Sequence, residues 1–437
     1  METSTCQYPN DLARFVRDHW NDAAERHTEI SLAAELEHIV SICYQASLLR
    51  EESREVTFRV IVAEPEQFAP ADGPPNGLHR LSFSQRLPFT AHELRRLSPA
   101  ARFHRSLIGV SFDLKRAAQI WGIIHTGPRW LTSLHGGRGT GSELPPYLVI
   151  GVPGTGHVEV SRGSTTIGQL SDGRVFGPSM NVFESQWLQS FFAPIRKERW
   201  SLHLQARQKS QVPWARLNPE LARIIDQNMM KRLIAAIRAF HHGGILVFVP
   251  SEYADQMLDS SSPICLKYKF QEGEPRARFR TLIVSMMNTL AELGGKKGKV
   301  KDVSWEEYER THDRKVTELD EAIFEISHLI AALSTVDGAV VMTKRFELLG
   351  FGGDIRCDLS GMATVAKARD IEGQDVTVES VLGVGTRHRS AYALCNSLRE
   401  ALAIVISQDG SVRFVRWKDD GVTYWDHQAT FTFSARL

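Results

Sequence analysis

The sequence predicts an α/β C-terminal part joined to an α+β N-terminal part. Three observations carry that expectation. In the C-terminal half the helical stretch MMKRLIAAIRAF is broken at Gly243-Gly244, and the unbroken apolar run 245–249 follows at once. Such a run reads as a strand covered on both faces. In the N-terminal half VTFRVIV alternates, with Val56, Phe58, Val60 and Val62 on one side and Thr57 and Arg59 on the other, the pattern of a half-buried strand. The chain has 437 residues, 42% of them hydrophobic, which is enough for two or three globular domains.

The elements follow in order. Residues 30–49, ISLAAELEHIVSICYQASLL, place Leu32, Leu36, Ile39, Val40 and Cys43 at helical spacing. PPNG at 74–77 marks a turn after the alternating strand. FTAHELRRL opens a helix, with Thr90 as cap and Glu93 three residues later. Residues 105–175 are β-rich, with YLVIGV, HVEVS, TTIGQL and GRVF as short strands. SQWLQSFF and LARIIDQNMMKRLIAAIRAF are helical. The pattern changes at about residue 222, where we set the domain boundary. A helical segment of about 275–330 contains FRTLIVSMMNTLAEL and VTELDEAIFEISHLIAAL. VDGAVVM and FELLGFGGDI then form a strand pair, and ALAIVIS and SVRFVRW are the last strands.

Composition excludes several classes. The formal net charge is +1, so nothing global points to nucleic acid or an acidic membrane. The five cysteines are widely spaced, without a CxxC, which argues against a disulfide framework or a structural zinc site. No apolar run approaches a membrane span, and the N-terminus lacks a signal pattern, so the expected location is cytoplasmic. GVPGTG at 151–156 lacks the Lys-Ser/Thr of a phosphate loop and reads as a turn. GGRGTG at 136–141 reads as a loop, and KKGKVK at 296–301 as a solvated linker. His241-His242 suits a helix C-terminus, where histidine is favoured.

Two motifs carry chemistry. After Thr386 the apolar residues Ala391, Leu394, Cys395 and Leu398 mark one helical face. Thr386 is the expected N-cap, and Gly383 and Gly385 allow close backbone approach before it. Arg387, His388 and Arg389 then stand at a helix N-terminus, an end that already repels cations. Free N–H groups, the helix dipole and two guanidinium forks together suit a polyphosphate. Upstream, Asp337-Gly338 before a buried strand is either a common Asp-Gly turn or a hold for a divalent cation on phosphate oxygens.

Read together, VDGAVVM, ELLGFGGDI, GVGTRHRSA and AIVISQDG, in that order, resemble the diadenylate cyclase domain, the nucleotidyltransferase module of DNA-integrity scanning proteins. RLIAAIRAFHHGGILVFV resembles the module's first helix and strand, with His-Gly-Gly where the family usually has Thr-Gly-Ala. The resemblance spans about 223–437, with the helical segment of about 275–330 as an insertion, and implies a mixed sheet flanked by helices. It implies condensation of two ATP into cyclic di-AMP with release of two pyrophosphates, by two such domains face to face in a homo-oligomer. By the same resemblance Asp337 binds Mg²⁺ or Mn²⁺ and helps activate the 3′-hydroxyl. Gly338 and Ala339 line the nucleotide pocket. Gly385, Thr386, Arg387, His388 and Arg389 hold the triphosphate, and Ser407 lies beside it. Ser407-Gln408-Asp409 stands where many members carry Ser-Glu-Glu, and Gly350-Phe351-Gly352-Gly353 departs from the family beside the expected adenine pocket.

Residues 1–222 show no catalytic constellation and are expected to be a regulatory or sensor domain for an unidentified ligand. The competing reading is a catalytically silent module that binds a nucleotide or cyclic dinucleotide. A nucleic-acid sensor is disfavoured by the near-neutral charge and by the lack of a Gly-rich helical hairpin.

Overall fold

The computed structural model describes residues 6–20, 32–74, 77–103, 105–127, 144–163, 165–171, 173–177, 180–240, 242–257, 262–296, 302–359, 361–408 and 410–427. His241, Asp409, the loop 136–141 and residues 297–301 lie outside the described residues. Among the described residues the chain divides into two compact units, one running to Gly177 and one from Met180 to His427.

The first unit is α+β. Its main strands are β1 (Phe58–Val62), β2 (His79–Pro88), β3 (Ser106–Phe112), β4 (Ala118–His125), β5 (Leu148–Gly154), β6 (His157–Arg162), β7 (Thr165–Ser171) and β8 (Arg174–Phe176). They form one sheet in the order β8-β7-β6-β5-β1-β3-β4-β2, in which β1 and β3 run parallel and the other neighbours antiparallel. Helices α1 (Pro9–His19) and α2 (Leu32–Ser47) pack on one face, where Leu12, Val16, Leu36, Ile39 and Cys43 meet Val60, Ile150 and Val160. Helix α3 (Ala91–Leu97) starts at its expected cap, the Thr90 hydroxyl accepting from the Glu93 N–H at 3.3 Å. GVPGTG forms the end of β5 and its turn into β6, with Gly156 at φ +70°.

Strand β1 differs from the expected half-buried strand, because both of its faces are covered. Ile61 packs with Trp121 and Val149 on the second face. Arg59 is buried there too, its guanidinium 5.8 Å from the Phe103 ring centroid. The register Arg59↔Gly151↔Glu159 sets a buried carboxylate two strands away, with the Thr166 hydroxyl donating to it. Burial pushes the Glu159 carboxyl from its ordinary 4.5 up to about 7, against the pull of Thr166 and Arg59. Between those two values the folded chain holds a proton that the unfolded chain has released. Stability is therefore expected to fall as pH rises through that window and to level off above it. Glu159→Gln should remove this decline. Urea midpoints of the two proteins, compared from about pH 5 to pH 8, check it, since other titrating groups cancel in the difference.

The second unit is α/β. It contains α4 (Gln186–Lys209), α5 (Pro219–Ala239), β9 (Gly244–Val249), β10 (Ile264–Lys269), α6 (Arg278–Lys296), α7 (Arg314–Leu333), β11 (Ala339–Thr343), β12 (Leu348–Ile355), β13 (Thr364–Ala368), β14 (Val376–Ser380), α8 (Thr386–Ser397), β15 (Leu402–Ile406), β16 (Val412–Lys418) and β17 (Gly421–His427). These nine strands form a mixed sheet in the order β10-β12-β11-β9-β15-β16-β17-β13-β14. β9 pairs parallel to β11 and antiparallel to β15. The apolar run of β9 serves two cores. Leu246 and Phe248 face the α4–α7 layer, while Ile245, Val247 and Val249 face α8.

One boundary differs from the sequence reading, and packing explains it. The second unit begins at Met180 rather than near 222, because Val182, Phe183, Trp187, Leu188 and Phe192 are buried in its core. The segment of about 275–330 is part of the helical layer on the sheet. Phe279, Ile283, Met286, Leu290, Ile323 and Ile330 share one core with Val340, Met342 and Ile404. Each such side chain contributes about 1.5–3 kcal/mol by burial, so the sheet face depends on this segment.

Candidate functional site

The residues singled out in the sequence come from three separate segments, and strand register determines where they meet. Ile245 of β9 pairs with Ala339 on one side and with Val405 on the other. Gly244 pairs with Ile406. Extending both ladders by one or two residues sets Asp337, Gly243 and Ser407 in one row across the sheet end, with Asp337 and Ser407 roughly 10 Å apart by two strand spacings. A Cβ on Gly243 would lie 3.1 Å from the Ser407 carbonyl carbon, so Gly243 and Ser407 are neighbours.

Helix α8 brings the third segment to the same end. Its Cys395 thiol meets the Val415 carbonyl at 3.3 Å, and its Tyr392 hydroxyl accepts from Arg413 Nη1 at 2.8 Å. Val415 and Arg413 pair with Ala403 and Val405, so α8 runs antiparallel to β15. One further turn toward its N-terminus brings His388 and Arg387 to the level of Ser407. Of the nine expected residues, Ala339 is buried, Gly338, Arg387, His388 and Ser407 are half-buried, and Asp337, Gly385, Thr386 and Arg389 are exposed.

The start of α8 differs from expectation by one residue. Gly385, not Thr386, is the N-cap, and no side chain caps the helix. The Gly385 carbonyl accepts from the Arg389 N–H at 3.1 Å, and no acidic residue stands in the first turn. The N-terminal N–H groups and both arginines thus lack the carboxylate that usually sits there. The dipole and the guanidinium groups add to one positive field, which suits an anion.

Close backbone approach explains the glycines. Gly338 has φ +113°, and a Cβ on it would lie 2.7 Å from the Gly352 carbonyl carbon. A Cβ on Gly350 would lie 2.3 Å from the Tyr268 carbonyl oxygen of the edge strand. The run Gly350-Phe351-Gly352-Gly353 therefore lets β12 pass between β10 and the Asp337-Gly338 turn.

Among the described residues no three His, Cys, Asp or Glu side chains group as a metal cage. Asp337 stands alone at its turn. Mg²⁺ is commonly held by one or two carboxylates together with substrate phosphates, and a single exposed aspartate fits that mode.

Sequence reasoning missed the network that supports α8. Arg413 donates to Tyr392, pairs with Asp426 at 2.8 Å, and lies 3.9 Å from the Tyr424 ring centroid. Tyr424 donates its hydroxyl to Glu379, and Lys367 Nζ lies 3.1 Å from Asp426. Burial raises both phenols above their ordinary range, so they stay neutral donors and acceptors. The network holds α8 through Tyr392, one turn from His388, and the two rings lie 6.5 Å apart. Its members come from five elements, and only the alternation of Arg413 in SVRFVRW hinted at a role.

One family model matches the chain, that of the "Probable sensor domain DACNV", over residues 25–125, the stretch holding α2 to β4. No curated protein matches the chain, and no solved structure matches it. The first unit thus carries a match to a sensor-type domain.

Proposed function

We propose that the second unit is a diadenylate cyclase that condenses two ATP into cyclic di-AMP and two pyrophosphates, under control of the sensor-type first unit. The observation that carries this reading is the convergence of Asp337-Gly338-Ala339, Ser407 and the opening of α8 at one sheet end. The family matched by residues 25–125 adds support, since its name points to an association with diadenylate cyclases.

Each residue has a task that its surroundings suit. Arg387, Arg389 and the uncapped N–H groups of α8 hold the triphosphate, and His388 adds a donor beside them. Gly338 and Ala339 line the pocket where the chain passes closest to the nucleotide. Ser407 hydrogen-bonds phosphate oxygens from the end of β15. Asp337 would hold Mg²⁺ or Mn²⁺, which would supply charge neutralisation and a more acidic 3′-hydroxyl. Phosphoryl transfer of this kind needs in-line positioning and electrostatic stabilisation more than covalent work. Each 3′-oxygen bonds to the α-phosphorus of the other ATP as pyrophosphate leaves, so two sites must face each other. The active form is therefore a homodimer or a larger homo-oligomer.

A second reading is favoured by one observation, the lack of any group of three His, Cys, Asp or Glu side chains that could hold a metal ion among the described residues. In that reading the same site binds ATP or a cyclic dinucleotide without turnover. Incubation of the purified chain with ATP and Mn²⁺ or Mg²⁺, with products read by mass spectrometry, separates the two. Cyclic di-AMP is the expected product. ATP binding without product would select the silent module, and absence of both would reject the nucleotide site.

A further inference from the structure

We propose that edge strand β14 pairs antiparallel with β14 of a second copy of this chain, about a twofold axis through Val378. Two nine-stranded sheets would then become one continuous sheet. β14 closes the strand order at one end, and among the described residues it pairs with β13 only. All five of its residues are exposed, Val378 at 66% and Val376 at 40%. The outer backbone N–H and C=O groups of such an edge are a template for another strand.

This edge is unguarded, whereas the other edges of the two large sheets are guarded. Natural sheets blunt an edge with lysine, proline, a bulge or a very short strand. In the same sheet, edge strand β10 carries the exposed Lys267 and Lys269. In the first unit, edge strand β2 has a register irregularity between Ser82 and Leu87, and edge strand β8 has three residues. β14 has no lysine, arginine or proline, and its pairing with β13 runs without a shift from Val376 to Ser380. Its one charge, Glu379, is turned onto its own sheet, where the carboxylate accepts from the Tyr424 hydroxyl.

Charge and pairing together select the occupant. With the twofold at Val378, all five residues of VTVES find a partner. Val378 meets its own copy, Val376 stands opposite the partner's Ser380, and Thr377 stands opposite the partner's Glu379. The Thr377 hydroxyl can donate to that carboxylate, which keeps acceptor capacity beside Tyr424. Moving the twofold to Thr377 sets Asp375 against the partner's Glu379, and moving it to Glu379 sets that residue against itself. Like charges directly opposite are destabilising, so both shifts are disfavoured. The strand is thus complementary to itself in one register, which points to a second copy rather than to an unrelated peptide.

The edge adjoins the candidate site without being part of it. Residues 381–384 join β14 to Gly385, the N-cap of α8. The interface goes beyond the cyclase reading and does not depend on it. A face-to-face dimer would meet at the Asp337–Ser407 sheet end, whereas this contact lies along the sheet edge.

Sedimentation velocity and disulfide trapping on the full chain test the pairing. A five-residue strand pair is short for a permanent interface, so association is expected to depend on concentration over about 1–100 μM. Val378→Lys, which sets two cations against each other, should weaken association at least about tenfold. Val378 is exposed, so the variant should keep the melting temperature of the wild type. Under mild oxidation Val378→Cys should link to its own copy, read as the 378–378 peptide by mass spectrometry, because opposed residues lie within disulfide reach. Val376→Cys should not link to itself, since the register sets the two copies about 13 Å apart, but should link to Ser380→Cys when the variants are mixed. Leu114→Cys, at a fully exposed residue of the first unit, gives the rate of chance collision. A chain monomeric at every concentration, association unmoved by Val378→Lys, or Val378→Cys linking no faster than Leu114→Cys would each overturn the inference.

Discussion

Asp337→Asn is expected to abolish cyclic di-AMP synthesis while leaving the fold and much of the ATP affinity in place. The carboxylate is exposed and makes no hydrogen bond or ion pair among the described residues, so its loss should not move the melting temperature. Its neutral amide cannot hold a divalent cation against the phosphates. The expected fall in turnover is at least about 10³-fold, the scale seen when one electrostatic stabiliser of phosphoryl transfer is removed. ATP affinity should fall far less, because the triphosphate is held by the opening of α8. Arg387→Ala should show the opposite balance, weakening ATP binding about tenfold through loss of a charge-assisted fork. Product by mass spectrometry and affinity by calorimetry, measured on both variants, check the division of labour. Full turnover by Asp337→Asn would sink the assignment of the cation site.

That division rests on residues whose order was readable in the sequence, while their meeting at one end required the sheet. The β9 run and the α8 apolar face were legible because burial writes itself into local period. The one-residue shift of the α8 cap from Thr386 to Gly385 was not, since several small polar or glycine residues in a row can each take the cap backbone angles. Strand β14, VTVES, was missed for a physical reason. It is a sheet edge exposed at every residue, so neither of its faces carries a burial pattern. The boundary near 180 was invisible because α4 shows weak periodicity, with polar residues such as Arg199 and His203 turned into the core. Burial of charge runs against the pattern on which sequence reading depends.

Arg199 and Asp226 make that point energetically, and their separation should produce the largest stability loss of any single change considered. The guanidinium of Arg199 meets both carboxylate oxygens of Asp226, with side-chain exposures of 3% and 7%. The pair joins α4 to α5 beside Phe346, whose ring centroid lies 5.8 Å from the guanidinium carbon. Burial pushes the Asp226 carboxyl up against the pull of Arg199, so desolvation is the larger force on this carboxyl. Removing the acid alone leaves a buried cation with no partner, and Asp226→Ala should cost about 3–5 kcal/mol. Replacing both residues with apolar ones, Arg199→Met with Asp226→Leu, removes the desolvation cost together with the attraction. That double variant should unfold within about 1–2 kcal/mol of the wild type, or above it. Urea midpoints of the single and double variants decide the matter. A single-variant loss below about 1 kcal/mol would reduce the pair to the worth of a surface contact. A double variant as weak as the single would mean that the charges themselves, rather than the filled space between α4 and α5, hold the two helices together.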